Sequence, residues 1–104
     1  MNSNSALGDF LARYRAALVI LSGAARGMEY GLDQRRTAVG RGPGVDLALD
    51  DDSLRCQHAL VEFRAGHFVL RDFASDELPA LELKDGDRFH LGRLELQFTL
   101  AVRV

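Results

Sequence analysis

"HALVEFRAGHFVLRDF", residues 58–73, decides the fold class. Two runs rich in Val, Leu and Phe flank Ala65-Gly66. β-prone runs joined by two residues that include a glycine read as a tight antiparallel hairpin. Working outward, "LELQFTLAVRV" (94–104) puts Leu94, Leu96, Phe98, Leu100, Val102 and Val104 on one face and Glu95, Gln97, Thr99 and Arg103 on the other. That period of two is a strand with one side in a core. "ALVIL" (17–21), the alternating Met28, Tyr30 and Leu32, "RRTAVG" (35–40), "VDLAL" (45–49), "ALELK" (80–84) and "DRFHLG" (87–92) complete the series. No helical pattern separates these runs, which excludes a parallel βαβ sheet. The pattern predicts an all-β protein, an antiparallel β-sandwich of roughly nine to eleven short strands.

One segment breaks the strand period. In residues 5–15, Leu7, Phe10, Leu11 and Tyr14 fall on one face of a short helix, with Ser5 as its N-cap. So short a helix is marginal alone, and Gly8 weakens it further. Its apolar face is expected against the domain, a second copy in a homodimer, or another partner. The expected organisation is a leader over 1–15 and a β-sandwich domain over 16–104.

The 104 residues carry a net charge of −2, with acids and bases interspersed. A nucleic-acid binder normally shows a basic stripe and a membrane-surface module a polybasic run, so neither partner is expected. A single cysteine cannot form an intrachain disulfide, which points to a reducing, cytoplasmic setting. The N-terminal stretch lacks a signal peptide's basic start, and its apolar run "AALVIL" is far short of a membrane span.

Three features invite chemical readings. "VGRGPGVD" (39–46) is glycine-rich after a strand, but a phosphate loop needs a helix behind it and a Lys-Ser/Thr pair. The segment reads instead as a turn needing positive φ and close backbone approach. Arg41, framed by its glycines, is placed to bind a carboxylate, a phosphate or a partner's backbone. His58, His67 and His90 show no metal-ligand spacing. Cys56 beside His58 lacks the further groups that a thiol nucleophile requires. No catalytic site, metal or cofactor is expected.

The order Val39-Gly40-Arg41, "VDLALDD", His58-Ala59, Leu70-Arg71-Asp72, Gly86-Asp87 and Leu91-Gly92 resembles the forkhead-associated (FHA) domain over about residues 16–102. The resemblance implies a β-sandwich whose loops at one end bind phosphothreonine peptides. In that family a Gly-Arg pair ends a strand and its arginine contacts the phosphopeptide; the matching pair is Gly40 and Arg41. A Ser-Arg-x-His run follows, its serine bonding phosphate and its histidine shaping the loop. His58 matches, but Arg55 stands in the serine's place and Cys56 in the arginine's, while Ser53 comes two residues too early. The family's Asn-Gly loop has no counterpart, since "RDFAS" (71–75) runs into "DELPALELKDGD" without an asparagine. Losing both contacts costs about 2–4 kcal/mol, tens- to several-hundredfold in affinity.

The resemblance therefore implies a degenerate, non-enzymatic interaction module: an adaptor or self-association element in bacterial signalling or a secretion-system assembly, with a protein partner, phosphorylated or not. The alternative keeps a phosphopeptide or acidic ligand through an Arg41–Arg55 pair. Gly40 and His58 are expected as loop-structural residues.

Overall fold

The computed structural model describes residues 3–74 and 80–103, with side chains from Ala6 onward. Val104 of the alternating run, and the stretch 75–79 within the asparagine-free connection, lie outside the described residues. An N-terminal helix α1 (Ser3–Arg13) leads into nine strands among the described residues: β1 (Tyr14–Ile20), β2 (Glu29–Gly31), β3 (Arg36–Gly40), β4 (Leu47–Ala48), β5 (Ala59–Arg64), β6 (His67–Asp72), β7 (Leu81–Glu82), β8 (Arg88–Leu91) and β9 (Leu94–Val102). They form a four-stranded sheet, β2-β1-β9-β8, and a five-stranded sheet, β4-β3-β5-β6-β7. The sandwich expected from the strand pattern is thus present.

The hairpin at 58–73 forms with Arg64 opposite His67 and both turn residues at positive φ, Ala65 at 49° and Gly66 at 89°. Positive φ at both central positions gives the turn a twist that matches its strands. Inward side chains from both sheets make one core. Leu18, Ile20, Leu96 and Phe98 of one sheet and Val39, Val61 and Phe68 of the other are each no more than 1% exposed. Phe68 and Phe98 bridge the sheets with ring centroids 6.0 Å apart.

Three details depart from the sequence pattern. β4 pairs parallel to β3, with Val39 opposite Leu47 and Gly40 opposite Ala48, so one short ladder is not antiparallel. The chain returns through the glycine loop instead of a helix. Asp46 locks that return, its carboxylate accepting from the Ala38 N–H at 2.7 Å and its own N–H donating to the Ala38 carbonyl at 2.9 Å. Second, Val102 is 71% exposed although it continues the apolar face, because β9 outruns the core. Third, α1 begins before Ser5, which lies in its first turn and not at its cap.

The helix covers the sandwich end next to the β5–β6 turn. Leu7 is buried, and the Phe10 ring sits 5.1 Å from Phe63, 5.6 Å from Phe68 and 5.0 Å from Tyr14. Arg103 ties down its C-terminus: the Nε–H donates to the carbonyls of Leu11 (2.7 Å) and Tyr14 (3.2 Å), and the backbone N–H to that of Arg13 (2.8 Å). The Leu11 and Arg13 carbonyls are among those that a helix end leaves without intrahelical partners.

Phe10→Ala should lower unfolding free energy by about 2–4 kcal/mol. Arg103→Ala should cost about 1 kcal/mol. Chemical denaturation of both variants checks the pair, and an unchanged midpoint for Phe10→Ala would mean that the helix contributes nothing to the domain's stability.

Candidate functional site

The opposite end of the sandwich carries the loops 41–46 and 49–58. They are joined through backbone. The Arg41 N–H donates to the Arg55 carbonyl at 3.0 Å and the Gly42 N–H to the Cys56 carbonyl at 3.2 Å, while the His58 N–H reaches the Val39 carbonyl at 2.9 Å. The approach leaves no room for side chains: a Cβ on Gly40 would strike the Cys56 carbonyl oxygen, and one on Gly42 would lie 2.7 Å from the Cys56 Cβ. Gly44 adds the positive φ, at 84°. The glycine cluster therefore serves loop-to-loop contact.

The loop 49–58 is anchored from below by Leu54, 3% exposed. Asp51 accepts from the Ser53 hydroxyl (2.6 Å) and N–H (2.9 Å), and the Ser53 oxygen accepts from the Arg93 N–H at 2.8 Å. Ser53 is thus committed to the β8–β9 turn. Gly92 makes that approach possible, since its Cβ would lie 2.5 Å from the Ser53 hydroxyl. These two hydrogen bonds from Ser53 hold the Asp51 carboxyl below its ordinary range, with help from the Arg93 charge.

Arg55 and His58 form the other half. His58 Nδ1 accepts from the Arg55 N–H at 3.0 Å, which leaves the ring proton on Nε2. The Arg55 guanidinium turns across the edge to β6: its Nη2 donates to Asp72 Oδ2 at 2.5 Å and to the His58 carbonyl at 3.3 Å. Asp72 also accepts from the Ala74 N–H at 2.9 Å. That bond and the Arg55 pair hold its carboxyl below the usual range. Burial lowers the His58 pKa, the Arg55 charge lowers it further, and Asp72 opposes both. Arg41 faces elsewhere, its Nη1 3.7 Å from Asp52 Oδ1.

Backbone therefore brings Arg41 and Arg55 side by side, but each guanidinium meets a different carboxylate. Pairing of Arg55 with Asp72, 17 residues away, was not visible in the sequence; only the run Leu70-Arg71-Asp72 marked the place. Cys56 is exposed. Among the described residues no three His, Cys, Asp or Glu side chains cluster as a metal site, and no helix is long and apolar enough to cross a membrane.

A second ionic cluster, unforeseen from sequence, sits on the outer face of the five-stranded sheet. Glu62 is 5% exposed. Arg71 Nε (2.6 Å) and Arg64 Nη2 (2.8 Å) donate to its Oε1, and Arg36 Nε lies 3.3 Å from Oε2. Burial opposes ionisation of Glu62, but the Arg71 hydrogen bond and the three positive charges outweigh it and hold the carboxyl low.

Residues 19–101 match the family model described as "Inner membrane component of T3SS, cytoplasmic domain" (Yop-YscD). The glycogen accumulation regulator GarA of Mycolicibacterium smegmatis is 31% identical over 91 residues, covering 80% of this chain. The chain spans only 58% of that relative's length. Among solved structures, the FHA domain of CT664 from Chlamydia trachomatis superposes with a TM-score of 0.69 at 25% identity, covering 82% of this chain and 96% of that one. Mycobacterium tuberculosis EmbR, in complex with a low-affinity phosphopeptide, gives a TM-score of 0.69 at 26% identity, covering 82% of this chain and 24% of that one. The fold is that of an FHA-type β-sandwich. Within that class the chain belongs to the family of T3SS inner-membrane-component cytoplasmic domains.

Two outcomes follow from the edge. Gly40→Ala should destabilise by at least about 2 kcal/mol, because backbone carbonyl, not a flexible side chain, blocks the added methyl; thermal unfolding reads this. His58 has a folded pKa below its unfolded value of 6.5, so the unfolded chain binds the proton first and stability falls as pH drops through that window. Protonation also removes the Nδ1 acceptor. The protection factor of the Arg55 amide should therefore fall as pH drops below 6.5; a protection factor constant from about pH 7.5 to 5 would refute the brace.

Proposed function

We propose that this chain is a non-enzymatic, FHA-type protein–protein interaction module, a cytoplasmic adaptor in a bacterial signalling or secretion assembly, whose phosphothreonine edge is degenerate. The observation carrying this reading is the Arg55–Asp72 pair at 2.5 Å. At the place where the family presents a serine to phosphate, this chain presents a cation already matched by its own carboxylate. Arg41 has Asp52 nearby, and Asp50 and Asp51 add further negative charge. An approaching phosphate meets four carboxylates and must displace one of them. The family description, a cytoplasmic domain of a secretion component, supports a scaffolding role.

Self-association belongs to the same reading, through a sandwich surface. A homodimer through α1 has less support, because Leu7 belongs to the buried core and Phe10 packs on Phe63 and Phe68 of the same chain. A second reading keeps an acidic ligand on Arg41 and Arg55. What favours it is exposure: the two side chains remain 41% and 51% accessible.

Titration with a phosphothreonine peptide library decides between them. The expected result is no saturable binding below about 1 mM. Micromolar binding that disappears in Arg41→Ala would overturn the phosphate-independent reading in favour of the second.

A further inference from the structure

The turn between β1 and β2, "SGAARGM" (22–28), is built mostly of small residues and ends on a methionine. Its backbone closes on itself. The Arg26 N–H donates to the Gly23 carbonyl at 3.2 Å, the Met28 N–H to that of Ala25 at 2.9 Å, and the Gly27 N–H to that of Ile20 at 2.8 Å. Gly23, with φ at 81°, lies so close to the core that a Cβ there would meet the Leu94 side chain at 2.6 Å. The turn is therefore fixed against the sandwich. β2 and β4 are edge strands of their two sheets, and between this turn and the end of β4 there is a cleft of about 260 Å³. Ala24, Ala25 and Met28 line one side and Ala48 the other, over a base of Leu49 and Leu94. The base is buried but the walls are open: Ala24 and Ala48 are exposed, and Met28 is 39% accessible.

Asp50 and Asp51 make the cleft's rim acidic. The Asp51 carboxylate is oriented by its neighbours. Its Oδ1 accepts from the Ser53 N–H and hydroxyl at 2.9 and 2.6 Å, and the Arg93 guanidinium approaches the same oxygen to 3.9 Å. Oδ2 takes no donor among the described residues. A Cβ on Gly23 would lie 4.0 Å from that oxygen, so it faces the turn across the cleft. Asp50 has no ion-pair partner among the described residues, since Arg41 goes to Asp52 and Arg55 to Asp72. An apolar slot ending at carboxylate oxygens complements an aliphatic stem with a cation at its tip. Lysine lays such a stem along apolar surface while its head stays in polar surroundings, and a methionine wall adapts to it. A single open oxygen on Asp51 suits an ammonium, a point charge, better than a guanidinium, whose fork wants two parallel acceptors. The volume falls below the roughly 300–1,000 Å³ of small-molecule sites, so the cleft takes one side chain and not a cofactor.

We infer that the cleft between the β1–β2 turn and β4 is a docking pocket for a lysine on a basic segment of a partner protein, its stem against Met28 and Ala48 and its ammonium at Asp50 and Asp51. This deepens the interaction-module reading and rests on it, and it gives that module a contact in which phosphate has no part. Electrostatic complementarity of this kind sets partner choice and association rate, and salt weakens it. Ser53 is a positioning residue, acting through Asp51.

The test is a titration of the whole chain with a fluorescein-labelled peptide of alternating serine and lysine. The controls are the same peptide acetylated at every lysine, which keeps the stem and removes the charge, and a serine–glutamate peptide. At about 50 mM salt the lysine peptide alone should bind saturably, and about 0.5 M salt should weaken it roughly tenfold. Ala48→Lys, which supplies the cleft with an ammonium of its own, should cost about tenfold in affinity or more. Met28→Ser and Asp50→Asn should each cost about threefold or more. All three substituted side chains are exposed, and a melting curve verifies folding; Asp51 is left in place because it holds Ser53. Amide-shift mapping on the unaltered protein gives an independent readout, with shifts expected over residues 22–28 and 48–51.

Absence of binding, or equal binding of the acetylated peptide, would overturn the inference. So would a loss in Asp50→Asn with none in Met28→Ser or Ala48→Lys, which would mean diffuse attraction to the acidic loop and no pocket. Shifts that leave residues 22–28 untouched would count against it in the same way. A concentration-dependent rise in the protein's own mass that vanishes in Ala48→Lys would give the cleft to a second copy in place of a partner. The phosphothreonine titration reads Arg41 and Arg55, neither of which lines this cleft, so the two proposals fail separately.

Discussion

A contact with no side chain in it governs the loop end of this sandwich. Gly40 and Gly42 let the backbone of one loop lie directly on the carbonyls of Arg55 and Cys56. Glycine is required there for space alone, since no L-residue's Cβ fits against the facing loop's backbone. From that contact follow the neighbouring placement of Arg41 and Arg55, the anchoring of β5 through the His58–Val39 hydrogen bond, and the parallel return of the chain into β4. Side-chain chemistry then settles what the edge presents, and in this chain it presents ion pairs.

The sandwich was legible because its strongest signals are local. A two-residue turn, period-two alternation over nine residues of β9 and an apolar helix stripe each depend on neighbours in sequence. Where the signal failed, the determinant was distant or geometric. The pattern could not see that the core stops before Val102, because that limit is set by how far the opposite sheet extends. The parallel β3–β4 pairing likewise depends on Asp46 reaching back to Ala38, eight residues away.

The candidate site was legible in outline and opaque in detail. His58, Gly40 and Arg41 were matched through the family resemblance, and backbone hydrogen bonds gather them at one end of the sandwich. The partners that neutralise the arginines could not be read that way: Asp72 reaches Arg55 from another strand, and Asp51 lies 3.9 Å from the Arg93 guanidinium across a long separation in sequence. Glu62 reads in sequence as an outward residue in an alternating strand. Only the assembled sheet shows it buried beneath arginines from three strands. Ion-pair networks leave no period in a sequence, which is why both clusters emerge only in three dimensions.

The Arg55–Asp72 pair has a further consequence, best put in terms of effective concentration. A carboxylate tethered on the adjacent strand never diffuses away, so Arg55 experiences it as a resident ligand at a concentration that free anions in solution do not match. Any visitor must be better than that resident by geometry or charge, and not merely present. The edge therefore has an affinity threshold built into its covalent structure. One substitution at position 72 would lower that threshold without altering a single residue that faces the visitor first.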